Sequence, residues 1–229
     1  IWALVALWRA RLGRLAAARL LAVFAAAAVV TCLPWLVRNR VSLGAFVMKD
    51  NFGMTLHASN NDCAQPSLIA SLREGCYQSH HPAGSWDEAH LLVRLGEVPY
   101  DALRASTALQ WIRANPGRFL QLTRHRVADF WFPRAEGGIY AYTVWFLTLA
   151  TSPGLFCMWR RGTGFAAPAL AVLAAYPLLY YVVVSDVRYR YPILWLSLLS
   201  AGYLLSRLIG GWAAPSFGGS TRTSTRTPP

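Results

Sequence analysis

Residues 20–37 read LLAVFAAAAVVTCLPWLV, a run without a single charged side chain. A helix of that length, rising about 1.5 Å per residue, covers most of the roughly 30 Å hydrocarbon core of a bilayer. Lipid offers no partner to backbone amides, so such a run must be helical, and a few spans cannot close a barrel. Pro34 is expected to bend or end the helix near its exit. Three more uncharged runs follow, at 137–159, 162–185 and 191–206. The last is short unless Arg207 snorkels and the helix continues to residue 212. The expected fold is therefore an all-α membrane protein with four transmembrane helices, at 20–37, 137–159, 162–185 and 191–212. A mixed, mainly helical extracytoplasmic loop domain at 38–136 joins the first two.

Composition agrees with a lipid-facing chain. Of 229 residues, 55% are hydrophobic and 14% charged, where a soluble domain carries about a quarter charged. The formal charge is +12, and all but one of the 22 basic residues are Arg, Lys49 being the exception. On a soluble domain that excess would point to nucleic acid. Here the charges cluster beside apolar runs and no nucleic-acid motif accompanies them, so the partners expected are membrane lipids and phosphate groups.

Basic residues in short connections set the orientation. Arg9, Arg11, Arg14 and Arg19 precede the first run, Arg160 and Arg161 separate the second from the third, and Arg207, Arg222 and Arg226 close the chain. All fall on one side, expected to be cytoplasmic. The loop at 38–136 is then outside, which for a bacterial inner-membrane protein means the periplasm. The stretch from Ile1 to Trp8 is apolar but too short to span, so 1–19 reads as the end of an earlier span plus a cytoplasmic loop. By this reading the chain is a C-terminal portion. The tail at 213–229, rich in Gly, Ser, Thr and Pro, is expected to be disordered.

Every acidic residue except Asp186, and all five His, lie between 38 and 136, as befits a solvent-facing loop. Apolar residues at 46–57 are broken by Asp50, Asn51 and Gly53, which fits a short hairpin. Ser85-x-x-Glu88 is a capping box opening a helix to about Leu95. A helix is expected over 100–114, and Asn115-Pro116 starts another that runs to Trp131. On that last helix Phe119, Leu120, Thr123, Val127, Phe130 and Trp131 share one face, with Arg118, Gln121, His125 and Asp129 opposite. The face suits either a helix lying in the membrane interface or one packed on the loop's own core. Cys63 and Cys76, the only cysteines of the loop, are expected to pair. A metal set of Cys76, His80, His81 and His90 matches no standard spacing, so no metal ligand is assigned.

Two basic motifs sit where apolar runs meet the outside. They are Pro34-Trp35-Leu36-Val37-Arg38-Asn39-Arg40 and Asp186-Val187-Arg188-Tyr189-Arg190-Tyr191-Pro192. Arginine at headgroup depth can fork onto a phosphate. The plain alternative is anchoring of helix ends by Arg and aromatics.

The stretch PWLVRNRVSLGAFVMKDNFGMTLHASNND, from Pro34 to Asp62, resembles a segment of bacterial C-type (GT-C) integral-membrane glycosyltransferases. These are relatives of dolichyl-phosphate-mannose–protein mannosyltransferases and of the aminoarabinose transferase that acts on lipid A. ALQWIRANPGRFLQLTRHRVADFW, from Ala108 to Trp131, is similar to a later helix of that family, and RYRYPI, from Arg188, to the start of a late span. The matches come in family order. The resemblance implies transfer of a sugar from a polyprenyl-phosphate donor to an extracytoplasmic acceptor. It implies lipid-phosphate contacts at Arg38, Arg188 and Arg190, with Asn39 and Tyr189 beside them, meeting at the outer water–lipid boundary. The acidic catalytic group of the family belongs to a loop expected upstream of Ile1, so no catalytic residue is assigned in this chain, and Asp50 and Asp62 are read as solvated. No cofactor is evident, and a divalent-metal requirement stays open. The competing classes are a transporter or channel, which needs ionisable groups inside its spans, and a non-catalytic envelope assembly protein.

Overall fold

The computed structural model describes residues 14–134 and 138–212. Several expectations lie outside the described residues. They are the end of an earlier span beginning at Ile1, the acidic catalytic group upstream of Ile1, Glu136 at the loop's end, and the disordered tail at 213–229. Among the described residues the chain is all-helical, without strands.

Helix α1 (Arg14–Leu43) contains Pro34 in its interior and neither stops nor frays there. It ends at Gly44, whose φ of +74° is the left-handed conformation glycine adopts at no steric cost after a helix. Arg38, Asn39 and Arg40 therefore sit on its last turns. The membrane-length portion, Leu15–Leu43, has none of its apolar window buried against the rest of the protein.

Six helices follow in the segment after α1: α2 (Phe52–Ser59), α3 (Leu68–Arg73), α4 (Cys76–Ser79), α5 (Trp86–Leu95), α6 (Glu97–Ala114) and α7 (Pro116–Trp131). The hairpin expected at 46–57 is instead the helix α2. Its N-terminal amides at Gly53 and Met54 are capped from a distance by the Asp101 carboxylate of α6, at 3.0 and 2.8 Å, a long-range contact that no local pattern announces. Ser85 caps α5 as read from the capping box. Between α5 and α6, Glu88 accepts from Arg104 Nε at 2.8 Å and from the Tyr100 hydroxyl at 2.6 Å.

Two further helices have the length and apolarity of membrane spans: α8 (Ile139–Arg160), and the stretch Val187–Ile209, which enters α11 (Tyr191–Trp212) through a 3-10 turn at Val187–Arg190. The third predicted run does not form one long helix. It breaks into α9 (Ala166–Ala175) and α10 (Leu178–Val182). Pro177, which has no amide proton, stands between them, and beyond Val182 the backbone is extended. Among the described residues three helices rather than four thus meet the length of a span, and Ala166–Val182 is a shorter apolar helix.

Helices α8 and α11 pack along small residues. A Cβ on Gly154 would lie 2.1 Å from the Ser200 carbonyl oxygen, and Ala150 and Ala201 are buried beside it. Small residues let apolar helices approach until their backbones touch. Gly154→Leu should therefore separate the two helices and cost on the order of 3 kcal/mol. A melting midpoint in detergent equal to that of the unaltered chain would refute this packing. Above the seam, Phe130 of α7 joins Leu155, Met158, Leu173, Ile193 and Leu196 in one core. That contact packs the C-terminal end of α7 against the apolar helices.

Candidate functional site

The segment of α2 to α7 and the apolar helices are locked together by a residue that the apolar pattern left out. Arg126 on α7 is completely buried. Its Nη1 donates to Asn60 Oδ1 at 3.1 Å and to the Val182 carbonyl at 3.0 Å, and its Nη2 donates to the Ser59 carbonyl. Asn60 Nδ2 reaches the same Val182 carbonyl at 2.9 Å, and the Val184 amide donates to Ser59 Oγ at 2.9 Å. Burial, and secondarily Arg118, pull the Arg126 guanidinium down to about 10; it stays charged at neutral pH. The buried stripe of α7 is thus Leu122, Arg126 and Phe130, one position per turn. One residue beyond Val184, Ser185 exchanges backbone bonds with Pro66 and Leu68, both 2.8 Å.

This lock brings the start of α8, the end of α7 and the 3-10 turn to one place. Arg190 is buried there at 2% exposure. Its Nη1 donates to the Trp131 carbonyl at 3.0 Å, and its guanidinium lies 5.1 Å over the Trp131 ring. Helix ends leave carbonyls without partners, and a cation there is favourable, so Nη1 has a structural task. Nε and Nη2 do not: both are buried and unpartnered, as are the Tyr140 hydroxyl and Asp129 Oδ2. Among the described residues no carboxylate forms an ion pair with Arg190.

Arg190, Tyr140, Asp129 and Asp186 line a small void. A pocket of about 110 Å³ shares Asp129, Tyr140 and Asp186 with that void and adds Ser67, Arg134 and Ser185. Burial pushes the Asp129 carboxyl up, and Arg134 and His125 offset only part of this. Burial also works against ionised Asp186, but hydrogen bonds from Arg188 outweigh it and hold that carboxyl below its ordinary value. The donors left over are those of a guanidinium and a phenol. Buried polar groups are ordinarily satisfied; these donors outnumber the one unpartnered acceptor beside them, Asp129 Oδ2, and a surplus of donors at the head of a span is complementary to an oxyanion.

The other sequence-predicted residues are placed differently. Arg188 is exposed and spends its charge on Asp186, Nη2 to Oδ2 at 2.8 Å. Tyr189 stacks on Tyr180 at 4.4 Å. Arg38 donates to Asn39 Oδ1 at 2.9 Å and lies 5.2 Å over Trp35. Buried Asn39 donates to the Val47 carbonyl at 2.6 Å, which secures the turn after α1. Among the described residues no hydrogen bond, ion pair or ring contact joins Arg38 or Asn39 to Arg188, Tyr189 or Arg190. The two motifs thus make no direct contact among the described residues, and the apolar window of α1 is unburied. In the sequence Asp129 reads only as part of the polar face of its helix, and Tyr140 is not singled out.

Asp62 accepts from Trp111 Nε1 at 2.6 Å, and burial pushes Asp50 up, with Asp101 and Glu97 adding to it. Cys63 and Cys76 are bonded to each other. Of the histidines weighed as metal ligands, only His80 stands at the cysteines; His81 stacks on Tyr77 and His90 lies against Trp86. Buried His57 packs edge-on to His80 at 5.2 Å. Burial, then Arg104 and His80, lower it from 6.5 to about 4, against a smaller opposing pull from Glu88. As pH falls, the unfolded chain binds this proton first. Stability supplied by neutral His57 is therefore complete above about 6.5 and is lost between there and 4. The loss is limited to about 2–3 kcal/mol once solvent screening is allowed for. Melting at pH 7 and pH 4.5 should show a steeper fall for the unaltered chain than for His57→Gln, and parallel curves would contradict it.

Comparison of the chain with protein-family models, with curated proteins and with solved structures finds no match.

Proposed function

We propose that this chain supplies the carrier-phosphate site of a membrane glycosyltransferase. It moves a sugar from a polyprenyl-phosphate donor to an acceptor lipid, glycan or protein on the extracytoplasmic face. The observation that carries this reading is Arg190, sealed at the head of a membrane-length helix with Nε and Nη2 unpartnered. The resemblance of the three sequence segments to GT-C enzymes supports it independently. In this reading α1, α8, the Ala166–Val182 stretch and α11 are four spans of a bacterial inner membrane, and residues 38–136 face the periplasm.

When the acceptor oxygen attacks the anomeric carbon, the bond from that carbon to the phosphate oxygen breaks and its electron pair leaves with the phosphate. Arg190 and the Tyr140 hydroxyl take up the charge that develops on the leaving oxygen. The acceptor's proton passes to an acidic side chain acting as base, the group that the resemblance implies and to which no residue is assigned here.

The test is binding. A photoreactive polyprenyl phosphate should label the purified chain in nanodiscs, and unlabelled polyprenyl phosphate should compete where polyprenol does not. Equal competition by polyprenol would remove the phosphate from the reading. Reporter fusions placing Glu136 and Asp186 in the cytosol would remove the extracytoplasmic site.

A further inference from the structure

The void at Arg190 holds one buried atom of the wrong sign for an anion. Asp129 Oδ2 is an acceptor without a partner, on the same void as the unpartnered donors of Arg190 and Tyr140. The other carboxylate there, Asp186, is engaged, since both of its oxygens accept from Arg188. Asp129 is not. Its ion pair is with Arg134, whose Nε lies 3.5 Å from Oδ1 and whose side chain is half exposed. A pair of that kind offsets little charge, and Oδ2 stays uncompensated.

Phosphate esters differ in the property that such an atom reads. A monoester loses its second proton at about pH 6 and carries about two negative charges at neutral pH. A diester has no second proton to lose and carries a single charge. Arg190 and Tyr140 can donate to either. The second charge, however, must face the Asp129 carboxylate at a buried position, or wait until that carboxyl takes up a proton, and both routes weaken binding. A guanidinium without Asp129 would do the reverse, because its attraction grows with the charge on the phosphate. The neighbouring space suits the second ester group. The pocket of about 110 Å³ runs on from Asp129, Tyr140 and Asp186 to Ser67 and Ser185, with Leu68 and Val187 on its wall. Hydroxyl and carboxylate oxygens beside apolar side chains are a lining for a polyol.

We propose that Asp129 makes this site selective for a phosphate diester over a phosphate monoester, so that it takes up sugar-loaded carrier and expels spent carrier. The inference rests on the phosphate reading of Arg190. In that reaction the loaded carrier is the diester. Cleavage of the bond to the anomeric carbon leaves its electron pair on the phosphate, which becomes the doubly charged monoester. Arg190 and Tyr140 meet the charge as it develops on the leaving oxygen. Once the sugar has gone, the dianion faces Asp129, and repulsion favours its release over rebinding.

The test uses the full chain in nanodiscs, with photoreactive polyprenyl phosphate as a trace label and two unlabelled competitors. One is polyprenyl phosphate; the other is polyprenyl methyl phosphate, which has the single charge of a loaded carrier and no sugar. Near neutral pH the methyl diester should compete about tenfold better than the monoester in the unaltered chain. In Asp129→Asn, which keeps the shape and removes the charge, the two should agree within about twofold, through tighter binding of the monoester. Should that variant fail to fold, the unaltered chain decides by itself. From about pH 6 to about pH 8 the monoester gains its second charge, and its competition should weaken about threefold or more while that of the methyl diester stays constant. Monoester competition that strengthens or stays level over this range overturns the proposal, as does a diester preference that survives in folded Asp129→Asn. A diester no better than the monoester, with polyprenol inert, removes this inference alone. Polyprenol competing as well as either phosphate removes the phosphate reading and this inference with it.

Discussion

Arg190→Gln should lower labelling by photoreactive polyprenyl phosphate about tenfold or more, whereas Arg188→Gln should change it by about twofold at most. The two arginines are two residues apart and indistinguishable by type, yet the fold gives them opposite circumstances. Arg188 is exposed and its guanidinium is bonded to Asp186, so solvent and a carboxylate have already taken up its charge. Arg190 has neither, and the nitrogens that point away from Trp131 have nothing to donate to. Glutamine keeps one donor for the Trp131 carbonyl, so the end of α7 stays capped while the charge is removed. The comparison is valid if Arg190→Gln melts within a few degrees of the unaltered chain. Loss of labelling in Arg188→Gln, with Arg190→Gln intact, would invert the assignment and sink it. Tyr140→Phe is expected to fall between them, because a phenol contributes one neutral donor where the guanidinium offers two charged ones.

Arg126→Met should be the most damaging single change to the fold, costing about 3–5 kcal/mol in detergent unfolding. Met replaces the aliphatic stem but stops short of the guanidinium nitrogens, so a small void adds to a loss that is mainly not one of packing. It comes from stranding acceptors: the Ser59 carbonyl and Asn60 Oδ1 lose their guanidinium donor in a place without water. The Val182 carbonyl fares better because Asn60 Nδ2 also reaches it. Hydrogen exchange should report the consequence locally. The Val184 amide, held by Ser59 Oγ, should exchange faster in the variant, and the α5–α6 amides near Glu88 should not. A variant that melts with the unaltered chain, or exchange that rises uniformly, would show that Arg126 does not join the two parts.

Several features were legible in the sequence because their causes are local. The uncharged runs specify helix through the absence of any alternative partner for their amides. Ser85 and Pro116 mark helix starts through hydrogen bonds and a fixed φ within four residues. The pairing of two cysteines in one loop follows from their being the only candidates there. Other readings failed for the opposite reason. Within the 46–57 stretch the part from Phe52 became a helix, capped by Asp101 from far along the chain. The run at 162–185 broke because Pro177 removed a donor and because Ser185 found backbone partners at Pro66 and Leu68.

By itself the sequence determined that the chain is helical and that it contains membrane-length helices, since a backbone in an apolar surrounding can satisfy itself only from its own residues. Which arginines are buried, and hence where the proposed phosphate site lies, was decided by tertiary structure alone. Burial of a charge depends on acceptors brought from elsewhere: Arg126 meets Asn60 across 66 residues and Arg190 meets Trp131 across 59. No periodicity in the neighbourhood of either residue carries that information.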